Sequence, residues 1–180
     1  MTTAGREERD MALTFTSDPV AIGQALFQIT HGLYIVTAKS GSRANGQCLD
    51  ALMQVTSVPP RLALGVGKRS LTHEMIAATG QLVVSVLDRG DPSCPDVIRR
   101  FGFQSGRDVD KFAGFPHETT KYGVPYLPNA VAVFELSVLP QFTQDLGTHT
   151  LYVASVDGAA GREGGEPLTY NEYRKSMRRK

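Results

Sequence analysis

The chain has 180 residues and a formal net charge of +1 at pH 7, which is length enough for a full hydrophobic core and short enough that one domain is the default. With 41% hydrophobic residues and nearly balanced charge, the composition describes an ordinary soluble protein and excludes any composition-level argument for a nucleic-acid or membrane partner. Its two cysteines, Cys48 and Cys94, stand far apart and outside any CxxC pair, so neither a disulfide framework nor a zinc or iron–sulfur cage is expected, and a reducing cytoplasm fits best.

The opening MTTAGREERDMA carries both charge signs and no apolar core of a signal peptide. No later run approaches the roughly eighteen apolar residues of a membrane span, so neither export nor membrane insertion is expected. Residues 1–14 read as a flexible N-terminus, 15–173 as the domain, and 174–180 as a basic tail that a solvated chain end explains better than a nucleic-acid arm. Asp18-Pro19 offers an N-cap followed by proline at the first helical position. Ile22, Ala25, Leu26 and Ile29 then repeat at helical spacing up to Gly32.

Five runs are rich in β-branched and aromatic residues and bounded by Gly, Pro or Asp: Leu33–Ala38, Arg61–Val66, Leu82–Leu87, Val131–Leu139 and His149–Val156. They read as strands, with a further one across Cys48–Val55. Helical pattern recurs only over Leu71–Thr79, closed by Gly80, and over Asp96–Arg100. Strands therefore do not alternate with crossover helices, and a Rossmann-like sheet is disfavoured. A mainly β fold suits the order better: a mostly antiparallel barrel with a few helices outside it, because closure removes exposed strand edges. Phe101–Tyr126 breaks the rhythm with mixed aromatics, charges and glycines. Irregular segments of this length serve as functional lids or partner surfaces, or are plain exposed variable loops.

Two stretches carry candidate chemistry. In RANGQCLDALMQVTSVPP, Arg43 to Pro60, Asn45-Gly46 is a strong turn signal, and Gln47, Thr56 and Ser57 add donors and acceptors nearby. The segment reads as a hairpin or as a grip for a flat polar ligand. In GKRSLTHEM, Gly67 to Met75, a strand leads into a helix with Ser70 at the N-cap. Free helical N–H groups, the hydroxyls of Ser70 and Thr72 and the cations of Lys68 and Arg69 make an anion site, or simply a capped helix start with exposed basic residues.

No GxGxxG fingerprint, P-loop, HExxH or GxSxG elbow is present, so a nucleotide bound in the usual α/β manner, a metal site and a serine nucleophile are not indicated. His149 begins a strand after Gly147, and Asp50 lies among apolar neighbours. Each is a surface position or a polar group at a pocket.

Taken together and in order, NGQ…QVTSVPP, KRSLTHE, FGFQSGRDVDKFAG, LGTHTLYV and PLTYNEY resemble the flavin reductase-like family of FMN-binding split barrels. The resemblance is closest to flavoredoxins and to the flavin reductase module of high-molecular-weight rubredoxins, and runs from about Phe27 to Tyr173. It implies a split β-barrel homodimer with FMN near the interface and NADH or NADPH as hydride donor. It further implies that Asn45, Gly46, Gln47 and Cys48 lie along the isoalloxazine and ribityl chain, and that the Val55-Thr56-Ser57 backbone faces the ring's polar edge. By the same resemblance Ser70 and Thr72, with Lys68 or Arg69, bind the phosphate, and His149 lies near the flavin and the nicotinamide.

The implied activity is hydride transfer to FMN and electron delivery to free flavin, a partner protein or another acceptor. The alternative is a flavoredoxin-like electron carrier with little nicotinamide activity of its own. The two CxxC pairs of a rubredoxin extension are missing, so an iron-bearing acceptor is expected in trans. Cys48-Leu49-Asp50 also departs from the apolar and amide residues expected at that flavin edge.

Overall fold

A computed structural model describes residues 13–177; the expected flexible start over 1–14 falls largely outside the described residues, and of the expected basic tail over 174–180 the described part continues the helical turn Tyr173–Met177. The chain divides into two compact units, one up to Thr30 and one from His31. In the first, helix α1 (Pro19–Leu26) begins where Asp18 Oδ2 accepts from the N–H of Ala21 at 2.9 Å. It is shorter than the apolar spacing up to Gly32 predicts, and none of its residues is buried.

The second unit is built on strands β1 (Tyr34–Ser40), β2 (Arg43–Leu49), β3 (Leu52–Ser57), β4 (Pro60–Gly67), β5 (Gln81–Val86), β8 (Ala132–Val138) and β10 (His149–Gly161), in the sheet order β2-β1-β5-β8-β10-β4-β3. The two-residue strand β9 (Gln144–Asp145) pairs with β10, and β6 (Glu118–Thr119) with β7 (Pro125–Tyr126) forms a separate small ladder. Every pairing is antiparallel. The mainly β, split-barrel expectation is met. The two ends of the sheet path, β2 and β3, follow one another in the chain and are joined through Asp50 and Ala51 rather than by a ladder, so the barrel is open along this seam.

Alternation along the strands explains why so many of them read as unbroken apolar runs. On β1, Val36 and Ala38 face the barrel interior with Leu64, Val66, Leu82, Val84 and Tyr152, whereas Ile35 joins an outer cluster with Val97, Ile98 and Phe101. Helix α2 (Leu71–Thr79) drops Thr72, Met75 and Ile76 into the structure at i, i+3, i+4 spacing and ends at Gly80, whose φ of 67° is left-handed. Helix α3 (Cys94–Gly102) extends two residues beyond the expected Asp96–Arg100 at each end and buries Cys94, Val97, Ile98 and Phe101.

The largest local departure concerns Asn45-Gly46. The β1–β2 turn is Gly41-Ser42, with Gly41 at φ 58° and Ser40 opposite Arg43, while Asn45 and Gly46 lie mid-strand opposite Ala38 and Thr37. Glycine at 46 answers a steric demand instead of a turn: a Cβ there would sit 3.0 Å from the Phe101 ring. The expected single strand over Cys48–Val55 is likewise two strands broken at the seam.

Candidate functional site

The barrel's seam opens into a cavity of about 790 Å³, within the range of roughly 300–1,000 Å³ common for cofactor sites. One wall is β2 and the seam: Asn45, Gln47, Cys48, Leu49, Asp50 and Ala51. A second is the end of β4 and the start of α2, with Gly65, Gly67, Arg69, Ser70, Leu71 and Thr72. A third is the segment after α3, with Phe101, Gly102, Gln104–Arg107 and Lys111, and the mouth carries Leu146, Thr148 and His149. The two stretches singled out from the sequence therefore face one space.

The seam itself is held by backbone bonds. The N–H of Leu52 donates to Asp50 O and that of Gly65 to Ala51 O, both at 2.9 Å. At the helix start, Ser70 is the N-cap and its Oγ accepts from the N–H of His73 at 3.0 Å. That leaves its hydroxyl proton to donate elsewhere. Thr72 is fully buried, and its Oγ1 accepts from Asn45 Nδ2 at 2.9 Å, which ties the β2 wall to the helix. Farther along α2, His73 Nε2 lies 2.8 Å from Thr150 Oγ1 on β10. Burial, then the positive charge of Lys68, holds this imidazole below its ordinary range, so it is neutral at pH 7.

Of the residues expected to bind the cofactor, Asn45, Gln47, Cys48, Arg69, Ser70 and Thr72 line the cavity, together with His149. Gly46 lies between lining residues, and its carbonyl accepts from Lys111 Nζ at 2.9 Å. Lys68 is turned away: in the turn after β4 its ammonium pairs with Asp145 at 2.5 Å, while Arg69 lines the cavity. Val55, Thr56 and Ser57 are not brought to the cavity wall. They end β3, where Thr56 Oγ1 donates to Pro59 O at 2.5 Å and Gln54 Nε2 donates to Thr56 O and Ser57 Oγ. Their polar groups serve the β3–β4 turn, and Asp50-Ala51 occupies the corresponding part of the wall.

Two cavity cations escaped sequence reasoning, Arg107 and Lys111, although both lie in the FGFQSGRDVDKFAG motif. Lys111 is 4% exposed, and its Nζ donates to Gly46 O and, at 3.1 Å, to Phe101 O. Burial lowers its pKa to about 8, partly offset by the neighbouring Cys48. The Cys48 thiol is pushed up to about 12, chiefly by burial and then by Asp50 and Cys94, so it stays protonated and is no nucleophile at neutral pH.

The whole segment is strapped down. Arg43 Nη2 donates to Gly106 O at 2.6 Å, and Arg100 donates to Lys111 O and Ala113 O at 2.6 and 2.7 Å. The irregular stretch thus acts as a fixed wall. His149 stands exposed at the mouth opposite Gly67, with Nδ1 2.9 Å from Thr148 Oγ1. Among the described residues, no group of three or more His, Cys, Asp or Glu is arranged to hold a metal ion, and no helix is long and apolar enough to cross a membrane.

This architecture recurs in known proteins. The model for the flavin reductase like domain matches residues 26–177. The chain is 43% identical over 155 residues to a high molecular weight rubredoxin of Moorella thermoacetica, covering 86% of this chain and 66% of that protein. It is 38% identical over 151 residues to a ferric-chelate reductase (NAD(P)H) of Archaeoglobus fulgidus, covering 83% of this chain and 87% of the relative. Among solved structures, the Streptomyces globisporus C-1027 NADH:FAD oxidoreductase SgcE6 in complex with NAD and FAD fragments superposes with a TM-score of 0.74 at 25% identity, over 88% of this chain and 91% of that one. An open antiparallel barrel, a cavity at its seam and a family match over most of the chain meet in one conclusion: this protein belongs to the flavin reductase-like family.

Proposed function

We propose that the protein is an NAD(P)H-dependent flavin oxidoreductase that binds FMN in the seam cavity, accepts hydride at the flavin N5 and passes electrons to free flavin, a partner protein or another acceptor. The observation that carries this reading is that a helix start bearing Arg69, Ser70 and Thr72 and a polar wall of Asn45, Gln47 and Asp50 line one cavity of about 790 Å³. The residues present fit such a cofactor. Gly65, Gly67, Gly102 and Gly106 present backbone along the lining, which lets a planar ring approach closely. The α2 start, Arg69 and the Ser70 hydroxyl suit a phosphate monoester.

When bound, FMN supplies the two-electron chemistry itself. The chain's own tasks are positional. Arg69, Ser70 and Thr72 hold the anionic end, and Asn45, Gly46, Gln47 and Cys48 lie along the ring and ribityl chain. Lys111 places positive charge on the wall, where charge developing on the ring would be favoured. His149, at the mouth, orients the nicotinamide. We also infer a homodimer. Met53, Val55 and Val58 are exposed large hydrophobic side chains on the edge strand β3 and its turn, next to the seam, and an uncovered apolar edge of this kind favours a second subunit.

Anaerobic mixing of the FMN-loaded protein with NADH or NADPH tests the reading. Rapid loss of the flavin absorbance is expected. Reduction only by a protein donor would replace the enzyme by an electron carrier. For His149→Ala we expect FMN affinity within about threefold of the native protein and single-turnover flavin reduction slowed about tenfold, as loss of one positioning contact implies. An unchanged reduction rate would remove His149 from the mechanism.

A further inference from the structure

Relatives of this fold handle FMN or FAD, and the two flavins differ only beyond the first phosphate. In FMN the phosphate is a terminal monoester bearing up to two charges. In FAD it is a singly charged phosphate joined through an anhydride to a second phosphate and adenosine. A protein that selects between them must do so at the phosphate end of its cavity.

That end is closed here by a bridge between two walls. Arg107, from the segment after α3, lines the cavity and donates through Nη1 to Glu74 Oε2 at 3.2 Å and through Nη2 to Glu74 Oε1. Nη2 also lies 3.4 Å from the carbonyl oxygen of Arg69, the residue before the N-cap. The guanidinium therefore lies along the first turn of α2, from just before Ser70 to Glu74, with Glu74 itself outside the cavity lining. Both side chains are about half exposed, at 47% and 53%, so solvent lies beyond them. Arg107 holds Glu74 ionised by hydrogen bonding to it. From inside the cavity, a phosphate at the helix start meets cations and N–H groups, with the Glu74 carboxylate held just outside the lining by Arg107.

We propose, on the basis of the flavin reading above, that the Glu74–Arg107 bridge is a specificity device that admits the terminal phosphomonoester of FMN and rejects the pyrophosphate of FAD. Arg107 supplies positive charge and the N–H groups that Glu74 leaves free to a dianionic phosphate. Glu74 holds the guanidinium along the helix start and repels a second phosphate. Discrimination thus rests on an unfavourable charge placed where only the unwanted ligand reaches, together with a favourable one shared by both.

The test is direct titration of the apo-protein with FMN and with FAD, read by quenching of flavin fluorescence, which needs no turnover. The native protein should bind FMN at least about tenfold more tightly than FAD. Glu74→Gln should tighten FAD several-fold and leave FMN within about twofold, narrowing the ratio. Arg107→Gln should weaken FMN about tenfold and FAD less. Both sites are exposed, and far-UV circular dichroism verifies the fold of each variant. Equal affinity of the native protein for the two flavins, or a ratio unmoved by Glu74→Gln, overturns the selectivity proposal alone. Absence of binding to either flavin overturns it together with the flavin reading.

Discussion

Gly106→Ala should weaken flavin binding while leaving the barrel folded. A methyl group at Gly106 would lie 2.0 Å from Asn45 Oδ1, 2.5 Å from its Cγ and 2.8 Å from its Nδ2. These are atoms of a side chain only 3% exposed and committed to Thr72. The Gly106 backbone is not left-handed, so alanine meets no conformational penalty and the effect is purely steric. Either the Asn45 amide leaves Thr72, at a cost of about 1–3 kcal/mol for a broken buried hydrogen bond, or the 103–113 wall shifts outward against the Arg43–Gly106 tie, at a similar overpacking cost.

A loss of about 1–3 kcal/mol by either route corresponds to a Tm lower by roughly 2–12 °C for a chain of this size. Because Asn45, Thr72 and Gly106 surround one end of the cavity, FMN affinity should fall at least about tenfold. Gly161→Ala is the control. Nothing lies within 4 Å of a Cβ there and φ is ordinary, so stability should change by less than about 0.5 kcal/mol. Calorimetry and FMN titration of the two variants check the pair. Equal behaviour would mean that the wall yields freely at Gly106.

What could be read from the sequence divides along physical lines. Strand positions were legible because strands such as β1 and β5 are buried on both faces, so their β-branched runs are nearly continuous. Helix α2 was legible to the residue, since Ser70 and Gly80 are local signals acting on local backbone. Asn45-Gly46 misled because its turn propensity is genuine but overridden: the ring of Phe101, 55 positions away, needs the space a side chain would fill.

Long-range contacts explain the other differences. Nothing near Lys111 shows that it reaches the carbonyl of Gly46, and nothing near Lys68 shows that Asp145, 77 residues on, will hold it. The polar groups of Thr56 and Ser57 look available until the turn they close is seen. The site was visible as two opposed walls; the third wall, built from a segment without period, became visible only where its arginines and lysine find carbonyl partners.

Lys111→Met should remove from the alkaline stability profile a component that rises with pH. The folded pKa of Lys111 is about 8, lowered by burial, against roughly 10.4 in an unfolded chain. Between these values the unfolded state binds more protons than the folded one, so this group makes stability rise with pH. Below pH 8 the full cost of burying the ammonium is present; above about 10 it is relieved. The span corresponds to about 3 kcal/mol.

Cys48 and Cys94 act oppositely. Both thiols are raised to about 12, chiefly by burial, above the unfolded value of roughly 8.5, so their contribution is complete at neutral pH and is lost as pH climbs towards 12. The native profile alone therefore mixes two signs, and the informative quantity is native minus Lys111→Met. That difference should rise by about 1 kcal/mol between pH 8 and 9 and keep rising to pH 10, as measured by urea unfolding across the series. A flat difference would show that the ammonium is solvated in the folded protein. In the same variant, loss of the donor bridging Gly46 O and Phe101 O should loosen the wall and weaken FMN binding at every pH, which separates its structural role from its charge.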